Sequence, residues 1–548
     1  MNSIRFARSL FPVLYEDEHV VAVDKPAGLA VEPCGAAGGC DLLSVMGGLD
    51  GGRVFSAGDR LDRLASGVVL LARSEEAAAA LAPRLAAETA RNQYVVVVRG
   101  KVKSRYLKPA PAGRRRSPAP GRKRPPPSPA EETGLSLELL QRADKLAMVR
   151  LEMGNVGDME VRRRLFSAGV PVLGDVRYSR RPDRRQSGRY FLHRAQVKVT
   201  HPFTGRTLVV RSLPPESFDA AVAGRRVIDE HLRTAAAARL SCLLDSATDA
   251  YRLLTGSHEG VPGLVVERYG PLVTLEVQEG RFQGGQDTLS AVARWYVRAL
   301  GTASVLLRRS PRDRSAAGSR ADELDLAPRV QLGRPCDEEL AILENGLRFL
   351  VRPFEGLNLG LFLDHRDNRR RVRELAAGRR VLNLFAYTCG FSVAAAAGGA
   401  KEVTSVDLKK SRLEWGKLNL GLNGLPSDNH TFVCSEAFDY LARARRQGRT
   451  FDLMVVDPPT FARAKKPQRA FGVEKDVARL IAEALGVLAP GGLMLLSTNC
   501  RRVSKRWLCD QVAEAAGARR FSVVASPGLP VDFAVDRDHA RTVIVRFA

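Results

Sequence analysis

The sequence predicts a multidomain protein that combines the α/β and α+β fold classes, and three observations support this prediction. A chain of 548 residues exceeds what one ordinary core holds, so two to four domains are expected. From 346 to 548, short apolar strands alternate with helices, which is typical of a doubly wound α/β domain. Before that, strand patterns dominate, and a Pro- and Arg-rich stretch interrupts them at 101–134.

We expect three units along the chain. The first spans 1–225 and contains the 101–134 stretch, which cannot bury enough apolar surface to fold and is predicted to be a disordered basic insert. An Ala- and Arg-rich helix at roughly 219–240 leads into the second unit, a β-rich region within 226–345. The third unit, 346–548, is the doubly wound domain.

The charge balance points to a polyanionic partner. The chain has 85 Lys and Arg against 60 Asp and Glu, a formal net charge of +25, so we expect RNA-like ligands whose affinity falls with salt. The alternative is a bias toward Arg whose charges are merely solvated. With 45% hydrophobic and 26% charged residues, most of the chain should nevertheless fold as globular protein.

Several classes of protein are disfavoured by the sequence. Eight cysteines are scattered without a C-x-x-C pair, so we expect neither a zinc site nor any other metal centre, and a reducing compartment suits them. The first apolar run is short and broken by Pro12, which is a poor signal peptide. No apolar stretch approaches membrane-spanning length, so a cytoplasmic protein is predicted.

The chemistry-bearing motifs of the third unit follow its strands. The strand 381–386 runs into a turn and an Ala-rich helix that begins near Gly390, which directs backbone N–H groups to the carboxyl edge of the sheet. The next strand ends in Asp407, an acid placed to bind both ribose hydroxyls of an adenosyl cofactor. Another strand, 451–456, ends in the sequence DPPTF at 457–461, which has no role in a simple nucleotide-binding domain.

Residues 346–548 resemble bacterial large-subunit ribosomal RNA methyltransferases. The resemblance rests on four stretches: GLFLDHRDNR from Gly360, VLNLFAYTCGF, VTSVDLKKSRLEWGKLNLGLNGL and DPPTFARAKK. It implies a class I, Rossmann-like fold, S-adenosylmethionine as cofactor, and 23S ribosomal RNA or a large-subunit precursor as partner.

Two types of relative compete, one methylating cytosine C5 and the other guanine N7. Cytosine C5 is not nucleophilic, so a cysteine must first add to C6, and in that type the cysteine directly follows the equivalent of Ser497. Here Thr498 occupies that position and Cys500 comes two residues later. Guanine N7 already has a lone pair and needs only positioning. The string Ser497-Thr-Asn-Cys-Arg-Arg502 and Asp532-Phe533 favour the N7 type, with Cys500 as nucleophile the alternative.

The resemblance also implies site residues. Asp407 would bind the cofactor ribose and Glu436 would face the adenine, while Cys389 stands where relatives usually have glycine. The remaining cofactor contacts are Asp364 and Arg366 near the methionine end, Phe385, Tyr387, Gly390 and Asp457. The residues framing the target base are Asp457, Pro458, Pro459, Phe461 and Asn499, and Asp457 is also predicted to be catalytic.

Residues 12–225, without the insert, resemble the RluA-type pseudouridine synthases. The matching stretches are LYEDEHVVAVDKPAG, RLDRLASG, and the later Leu192-His193 through His201-Pro202 to Leu213-Pro-Pro215. The resemblance implies a mixed α+β fold with an antiparallel central sheet.

Isomerising a uridine means cutting its N-glycosidic bond, turning the base and rejoining it at C5, which calls for one ionised carboxylate at the sugar–base junction. By resemblance, Asp62 is that carboxylate, Arg162 its basic partner and Tyr94 the ring packing on the base. Two positions depart from the family pattern: Asp59 replaces the usual His, and VGDME at 156–160 replaces Gly-Arg-Thr-His-Gln. Added acids near a phosphate backbone should repel it and weaken RNA binding.

The sequence therefore predicts a bifunctional RNA-modifying enzyme that forms pseudouridine and methylates a base. One alternative is a cytosine-C5 methyltransferase whose N-terminal unit only binds RNA; another is a non-catalytic ribosome-assembly factor. The middle unit resembles the N-terminal extension of the same methyltransferases, as in YRLLTG at 251–256, and is predicted to contribute to RNA binding. The sequence makes no prediction of oligomeric state.

Overall fold

The structure is a computed structural model that describes ten segments of the chain, 2–33, 41–51, 55–106, 135–154, 156–178, 188–225, 227–310, 329–355, 358–464 and 469–548. Most of the predicted basic insert therefore lies outside the described residues. No helix in these segments is long and apolar enough to cross a membrane.

The N-terminal unit is built on a nine-stranded sheet. Its central order is β1-β2-β4-β8-β5-β7-β6, with β3 beside β4 and β9 beside β8. All pairings are antiparallel except the short parallel contact of β4 with β8, so the predicted antiparallel sheet is confirmed as largely antiparallel. The strands are β1 Val13–Glu16, β2 Val20–Lys25, β3 Ser56–Ala57, β4 Ser66–Ala72, β5 Arg91–Arg99, β6 Leu137–Arg142, β7 Leu146–Met153, β8 Leu192–Thr200 and β9 Thr207–Arg211.

Helices pack against this sheet where the sequence carries start signals. The Ser74 hydroxyl accepts from the Ala77 N–H and begins a helix with two acids in its first turn, where the helix dipole favours them. A second helix follows Gly157 and carries Arg162 on its buried face. The helices of this unit are α1 Asn2–Leu10, α2 Leu42–Leu49, α3 Glu75–Ala86, α4 Asp158–Ser167 and α5 Ser217–Val222.

The prediction of a single helix at 219–240 is wrong. The structure has α5 followed by α6 Ile228–Ala237 and α7 Leu240–Leu244. The first break falls at Gly224, whose φ of 70° lies in the left-handed region that glycine adopts at no steric cost. Beyond α7 the β-rich region is confirmed as a five-stranded sheet in sequence order, comprising β10 Ala250–Thr255, β11 Leu264–Tyr269, β12 Leu272–Gln278, β13 Ser304–Ser310 and β14 Arg329–Gly333, with α8 Gln286–Leu300 connecting β12 to the parallel β13.

The C-terminal unit is the expected doubly wound domain. After the hairpin β15 Leu340–Glu344 and β16 Leu347–Val351, a seven-stranded sheet has the order β19-β18-β17-β20-β23-β25-β24, parallel except for its last two strands. The elements are α9 Arg366–Leu375, β17 Arg380–Leu384, α10 Gly390–Ala397, β18 Glu402–Asp407, α11 Lys410–Leu422, β19 His430–Cys434, α12 Ala437–Arg446, β20 Phe451–Val456, β21 Phe461–Ala464, β22 Arg469–Gly472, α13 Val473–Leu485, β23 Leu488–Thr498, α14 Lys505–Ala516, β24 Phe521–Ala525 and β25 Arg541–Phe547.

The strand order determines where a site can form. Strand β17 lies between β18 and β20. The later strands are added on one side of β17 after the earlier ones on the other, so the strand order reverses here and a crevice opens at the carboxyl ends of these strands. The three motifs read from the sequence, the turn after β17, Asp407 and Asp457, all lie at this edge.

The N-terminal and middle units share one hydrophobic core. Residues of α1 and of the first sheet belong to the same buried cluster as residues of α6, α8 and the second sheet. At the contact, the Phe6 and Trp295 rings meet edge to face with centroids 5.5 Å apart. The Arg189 guanidinium also pairs with Glu230 of α6. The limits 1–225 and 226–345 therefore remain a proposal, since the boundary runs through shared packing.

Candidate active sites

The turn after β17 holds three non-glycine residues in the left-handed backbone region. Phe385, Tyr387 and Cys389 have φ of 58°, 50° and 62°. Such a conformation costs roughly 1–2 kcal/mol per residue and must be held by its surroundings. The Ala386 N–H donates to the Val406 carbonyl at 2.9 Å, and the Cys389 N–H donates to the Ala386 carbonyl at 2.8 Å. The turn therefore has the shape of a glycine-rich ligand loop, although it contains no glycine before Gly390.

Cys389, the departure noted in the sequence, has a matching residue on the neighbouring helix. A Cβ built on Gly416 of α11 would overlap the Cys389 side chain. Burial raises the pKa of the Cys389 thiol to about 12, so it is an uncharged packing group. Gly416 thus provides the space that the cysteine occupies.

Asp407 is held at the end of β18 by the same turn. Its carboxylate oxygens accept the N–H groups of Tyr387 and Lys409, each at 2.9 Å, and burial raises the pKa of this carboxyl. Each oxygen keeps a further lone pair, so the carboxylate can still accept from ribose hydroxyls. One oxygen of Glu436 caps α12, accepting from the N–H groups of Phe438 and Asp439 at 2.8 and 3.1 Å. These donors and acceptors fit an adenosyl cofactor.

The segment from Gly360 to Arg369 lies across that turn. The Thr388 hydroxyl donates to the Gly360 carbonyl at 2.5 Å, and a Cβ on Gly390 would meet Leu361 at 3.1 Å. Asp364 is almost completely buried and lies 3.5 Å from His539 Nε2. Burial alone would raise the pKa of Asp364, but His365 and His539 outweigh it and hold the pKa well below its usual value.

Arg366 is engaged elsewhere. Its guanidinium is buried and forms two bonds with the Asp532 carboxylate, at 2.5 and 3.2 Å. Asp532 also accepts from the Arg252 N–H of the middle unit at 2.8 Å. The structure thus gives Arg366 a role in joining two units, and its proposed contact with the methionine end of the cofactor stays a prediction.

His365 reaches the end of the next strand. Its Nε2 lies 3.3 Å from an Asp457 oxygen, and its Nδ1 lies 3.0 Å from the Asn368 amide nitrogen, which also donates to Thr542. An amide N–H can only donate, so Nδ1 accepts and Nε2 carries the proton directed at Asp457. Burial lowers the pKa of His365, but Asp457 and Asp364 outweigh it and raise the pKa overall.

The residues predicted to frame the base come together beyond Asp457. Pro458 is buried, Pro459 is exposed, and the Phe461 side chain is 56% exposed on the hairpin of β21 and β22. Asn499 follows β23, and the Thr460 hydroxyl donates to its amide oxygen at 2.7 Å. Asn499 and Asp364 both line a cleft of about 520 Å³ between the middle and C-terminal units.

Cys500 lies apart from this surface. The residue is 4% exposed and belongs to the apolar core of the C-terminal unit, together with residues of α13 and β23. Its N–H donates to the Thr498 hydroxyl at 3.2 Å. The thiol is therefore packed among apolar side chains.

In the N-terminal unit, the structure brings Asp62 and Arg162 together. An Arg162 nitrogen lies 3.3 Å from an Asp62 oxygen, and Asp62 remains about one-third exposed while Arg162 is buried. Arg162 is itself held by two bonds to Asp175, at 2.7 and 3.2 Å, and its guanidinium stacks on Tyr190 at 3.8 Å. The pair is thus a fixed cation beside an accessible carboxylate.

Tyr94 is completely buried, which differs from a ring that offers its face to a base. Its hydroxyl donates to the Val156 carbonyl at 3.2 Å, and burial raises its pKa to about 12. The proposed contact with the target base stays a prediction. The Lys25 ammonium lies beneath the same region and donates to the carbonyls of Leu29 and Ala65, at 2.8 and 2.7 Å.

The acids that depart from the family pattern are mostly neutralised. Asp59 is paired with the buried Arg194 at 2.6 Å, and Glu160 forms ion pairs with Arg163 and Arg164. Asp158 is buried, and desolvation together with the charge of Asp62 raises its pKa. The expected repulsion between these acids and a phosphate backbone is therefore weaker than their number indicates.

Sequence reasoning missed several residues of both sites. His365 lies in the stretch GLFLDHRDNR, between Asp364 and Arg366, which were both predicted to contact the cofactor. Its position could therefore have indicated a role in the site. Asp175 and Tyr190 carried no motif of their own. His539 has one weak signal, the Asp-x-x-His spacing with Asp536, whose pKa it helps to hold low.

Comparisons with known proteins agree with this geometry. Residues 318–540 match the family of S-adenosylmethionine-dependent methyltransferases, and residues 19–145 match the RNA pseudouridylate synthases. Ribosomal RNA large subunit methyltransferase K of Neisseria meningitidis is 40% identical over 202 residues, 37% of this chain and 55% of the relative. A ribosomal RNA large subunit methyltransferase of Deinococcus radiodurans is 34% identical over 287 residues, 52% of this chain and 68% of the relative.

A third relative, ribosomal RNA large subunit methyltransferase I of Erwinia tasmaniensis, is 38% identical over 258 residues, 46% of this chain and 61% of the relative. The chain thus spans between 55% and 68% of the length of these three relatives.

Solved structures show the same fold. One assigned as a SAM-dependent methyltransferase of Streptococcus mutans is 25% identical, with a TM-score of 0.51, covering 64% of this chain and 87% of that one. Another methyltransferase structure, which contains SAH, is 24% identical with a TM-score of 0.53 and covers 70% of this chain and 98% of that one. The chain therefore belongs to the family of S-adenosylmethionine-dependent ribosomal RNA large subunit methyltransferases, and it carries a domain of the RNA pseudouridylate synthase family ahead of the methyltransferase domain.

Proposed function

We propose that the C-terminal part of the chain methylates N7 of a guanine in 23S ribosomal RNA or a large-subunit precursor. The observation that supports N7 over cytosine C5 is the burial of the Cys500 thiol in the apolar core. A C5 enzyme needs a thiolate that reaches C6 of the base. Guanine N7 carries its own lone pair, so positioning is sufficient.

The residues of the site would divide this task. S-adenosylmethionine, when bound, supplies an electrophilic methyl group. Asp407 would accept from the two ribose hydroxyls, and Glu436 would mark the adenine side. His365 holds the Asp457 carboxylate where cofactor and base would meet. The exposed ring of Phe461 would stack on an extruded base. N7 has no proton to lose, so the proposal requires no general base.

The test is nucleoside mass spectrometry of ribosomal RNA from cells that lack the protein and are complemented with variants. Wild type and Cys500→Ala should both restore a 7-methylguanosine, with Cys509→Ala as the matched control. Loss and recovery of 5-methylcytidine instead, with Cys500→Ala inactive, would transfer the chemistry to Cys500.

We further propose that the N-terminal unit converts a uridine of the same class of RNA to pseudouridine. The supporting observation is the accessible Asp62 carboxylate beside Arg162, whose own position is fixed by Asp175 and Tyr190. The buried pair of Asp59 with Arg194 supports activity as well, because Arg194 offsets the charge of an acid that departs from the family pattern. In the reaction, Asp62 would act at the sugar–base junction while the base is released, turned and rejoined at C5.

Chemical mapping of pseudouridine in the complemented cells tests this site. Asp62→Asn preserves the size of the side chain and should abolish one pseudouridine while leaving the methylation intact. Asp144→Asn, an exposed residue of a turn, is the surface control. If Asp62→Asn changes no pseudouridine, the N-terminal unit is a binding module. If the RNA of cells lacking the protein loses neither modification, the role as an assembly factor replaces both proposals.

A further inference from the structure

The contact between Thr460 and Asn499 joins two elements that are far apart in the chain. Thr460 belongs to the turn after β20, and its carbonyl accepts from the Val473 N–H at 3.1 Å, which holds the turn in place. Asn499 follows β23, the strand paired with β20. The Thr460 hydroxyl donates to the Asn499 amide oxygen at 2.7 Å, at the edge of the cleft that Asp364 also lines.

This bond determines which end of the amide is available. An Asn side chain offers an oxygen that accepts and a nitrogen that donates two hydrogens. Since the oxygen already accepts from Thr460, the nitrogen is the free end. Within the part of the chain that the structure describes, no group accepts from this nitrogen, and the side chain is exposed to the cleft. Asn499 therefore presents hydrogen-bond donors.

The neighbouring carboxylates each lie beside a basic side chain. Asp364 lies 3.5 Å from His539, Asp536 is paired with Arg501 at 2.5 Å, and Asp457 faces His365 at 3.3 Å. Asn499 therefore supplies hydrogen-bond donors beside carboxylates that each have a basic side chain next to them.

The two candidate bases differ in the group beside the reacting atom. On guanine, N7 is flanked by the O6 carbonyl, an acceptor. On cytosine, C5 is flanked by the N4 amino group, a donor. A donor on the protein forms a hydrogen bond with the first and leaves two donors facing each other with the second, so it discriminates between the bases without touching the reacting atom.

We propose that Thr460 is a positioning residue that locks Asn499 so that its amide hydrogens bind O6 of guanine and reject cytosine. This inference rests on the proposed methylation of guanine and names the residues that select it.

The experiment compares three variants of the full-length protein on ribosomal RNA from cells that lack it. Thr460→Val keeps the side-chain shape but removes the hydroxyl, so Asn499 can turn, and we expect kcat/KM on RNA to fall about tenfold. Thr460→Ser restores the hydroxyl and should recover activity to within about threefold. Asn499→Asp replaces the donor by an acceptor of the same shape and should lower the rate at least ~100-fold.

Calorimetric binding of S-adenosylmethionine is the second readout. Its affinity should be unchanged in all three variants, because Asp407 and the turn after β17 are untouched. Equal rates for wild type and Thr460→Val, or a Thr460→Ser variant as impaired as Thr460→Val, would overturn the inference even if the product is 7-methylguanosine. A wild-type product of 5-methylcytidine would instead overturn the proposed function, so the two failures are distinguishable.

Discussion

At the scale of single residues, the cofactor turn depends on pairs of side chains rather than on a motif. Cys389 adopts a left-handed backbone conformation at a position where glycine is less strained, and its side chain occupies the space above Gly416. The two positions should therefore be coupled in any mutational test.

The coupling gives a specific expectation for Gly416→Ala. The added methyl group would overlap Cys389, so we expect a loss of about 1–3 kcal/mol in the free energy of unfolding and weaker cofactor binding. Gly421→Ala in the same helix meets nothing within 4 Å and should be neutral or stabilise by about 0.5–1 kcal/mol. The double variant Cys389→Gly with Gly416→Ala should recover both properties. Denaturant unfolding and calorimetry measure them, and additive effects would contradict the coupling.

The buried pair of Asp59 and Arg194 determines what happens when Asp59 is replaced by the histidine of the family pattern. Asp59→His would give the N-terminal unit its usual side chain, but the buried Arg194 would lose the carboxylate with which it pairs. Removing one partner of a buried ion pair typically costs about 3–5 kcal/mol. We therefore expect Asp59→His to destabilise the protein by an amount of this order in denaturant unfolding, with Asp144→His at an exposed position as the control. An unchanged stability would show that Arg194 finds another partner.

Sequence patterns identified the strands and their terminal acids because both are local features. Asp407 ends a β-branched run, and its place at the edge of the sheet follows from the parallel topology. The partners of these acids could not be predicted in the same way. His365 contacts Asp457, Arg366 contacts Asp532, and Thr460 contacts Asn499, each pair joining segments 39 to 166 residues apart. Such contacts depend on the packed fold.

At the scale of elements, buried histidines make the sheets sensitive to acid. His193 of β8 is completely buried, with Nδ1 3.0 Å from the Ser66 hydroxyl. Burial and the charge of Arg189 lower its pKa to about 3, while an unfolded histidine has a pKa near 6.5. Between these values only the unfolded chain takes up the proton. The stability that His193 contributes is therefore present above pH 6.5 and lost as the pH falls toward 3.

This linkage predicts the behaviour of His193→Asn. Asn can retain the bond to Ser66 but has no titrating group, so the fall of the unfolding free energy between pH 6.5 and 4 should be shallower than in the wild type. Urea unfolding at a series of pH values measures the slope. Identical slopes for wild type and His193→Asn would exclude His193 as the source.

At the scale of the whole molecule, the buried ion pairs do not account for the excess of positive charge. Several deeply buried arginines lie against a buried acid, as Arg194 does with Asp59, Arg239 with Glu259 and Arg369 with Glu344. These pairs contribute nothing to the net charge of +25, which therefore belongs to the remaining groups. The shared core of the N-terminal and middle units holds these two units together.

The charge argument predicts how RNA binding depends on salt. Each phosphate contact to single-stranded RNA lowers the slope of log K against log salt by about 0.7, so an interface with six contacts gives a slope near −4. We expect the slope for a ribosomal RNA fragment to be about −3 or steeper, measured by filter binding between 50 and 300 mM KCl. Arg445→Gln and Arg446→Gln, in the exposed last turn of α12, report whether that helix faces the RNA. Each lost phosphate contact should make the negative slope shallower by about 0.7. A slope near zero would mean that the arginine excess is only solvated, and the proposed partner would then have to be recognised by base contacts alone.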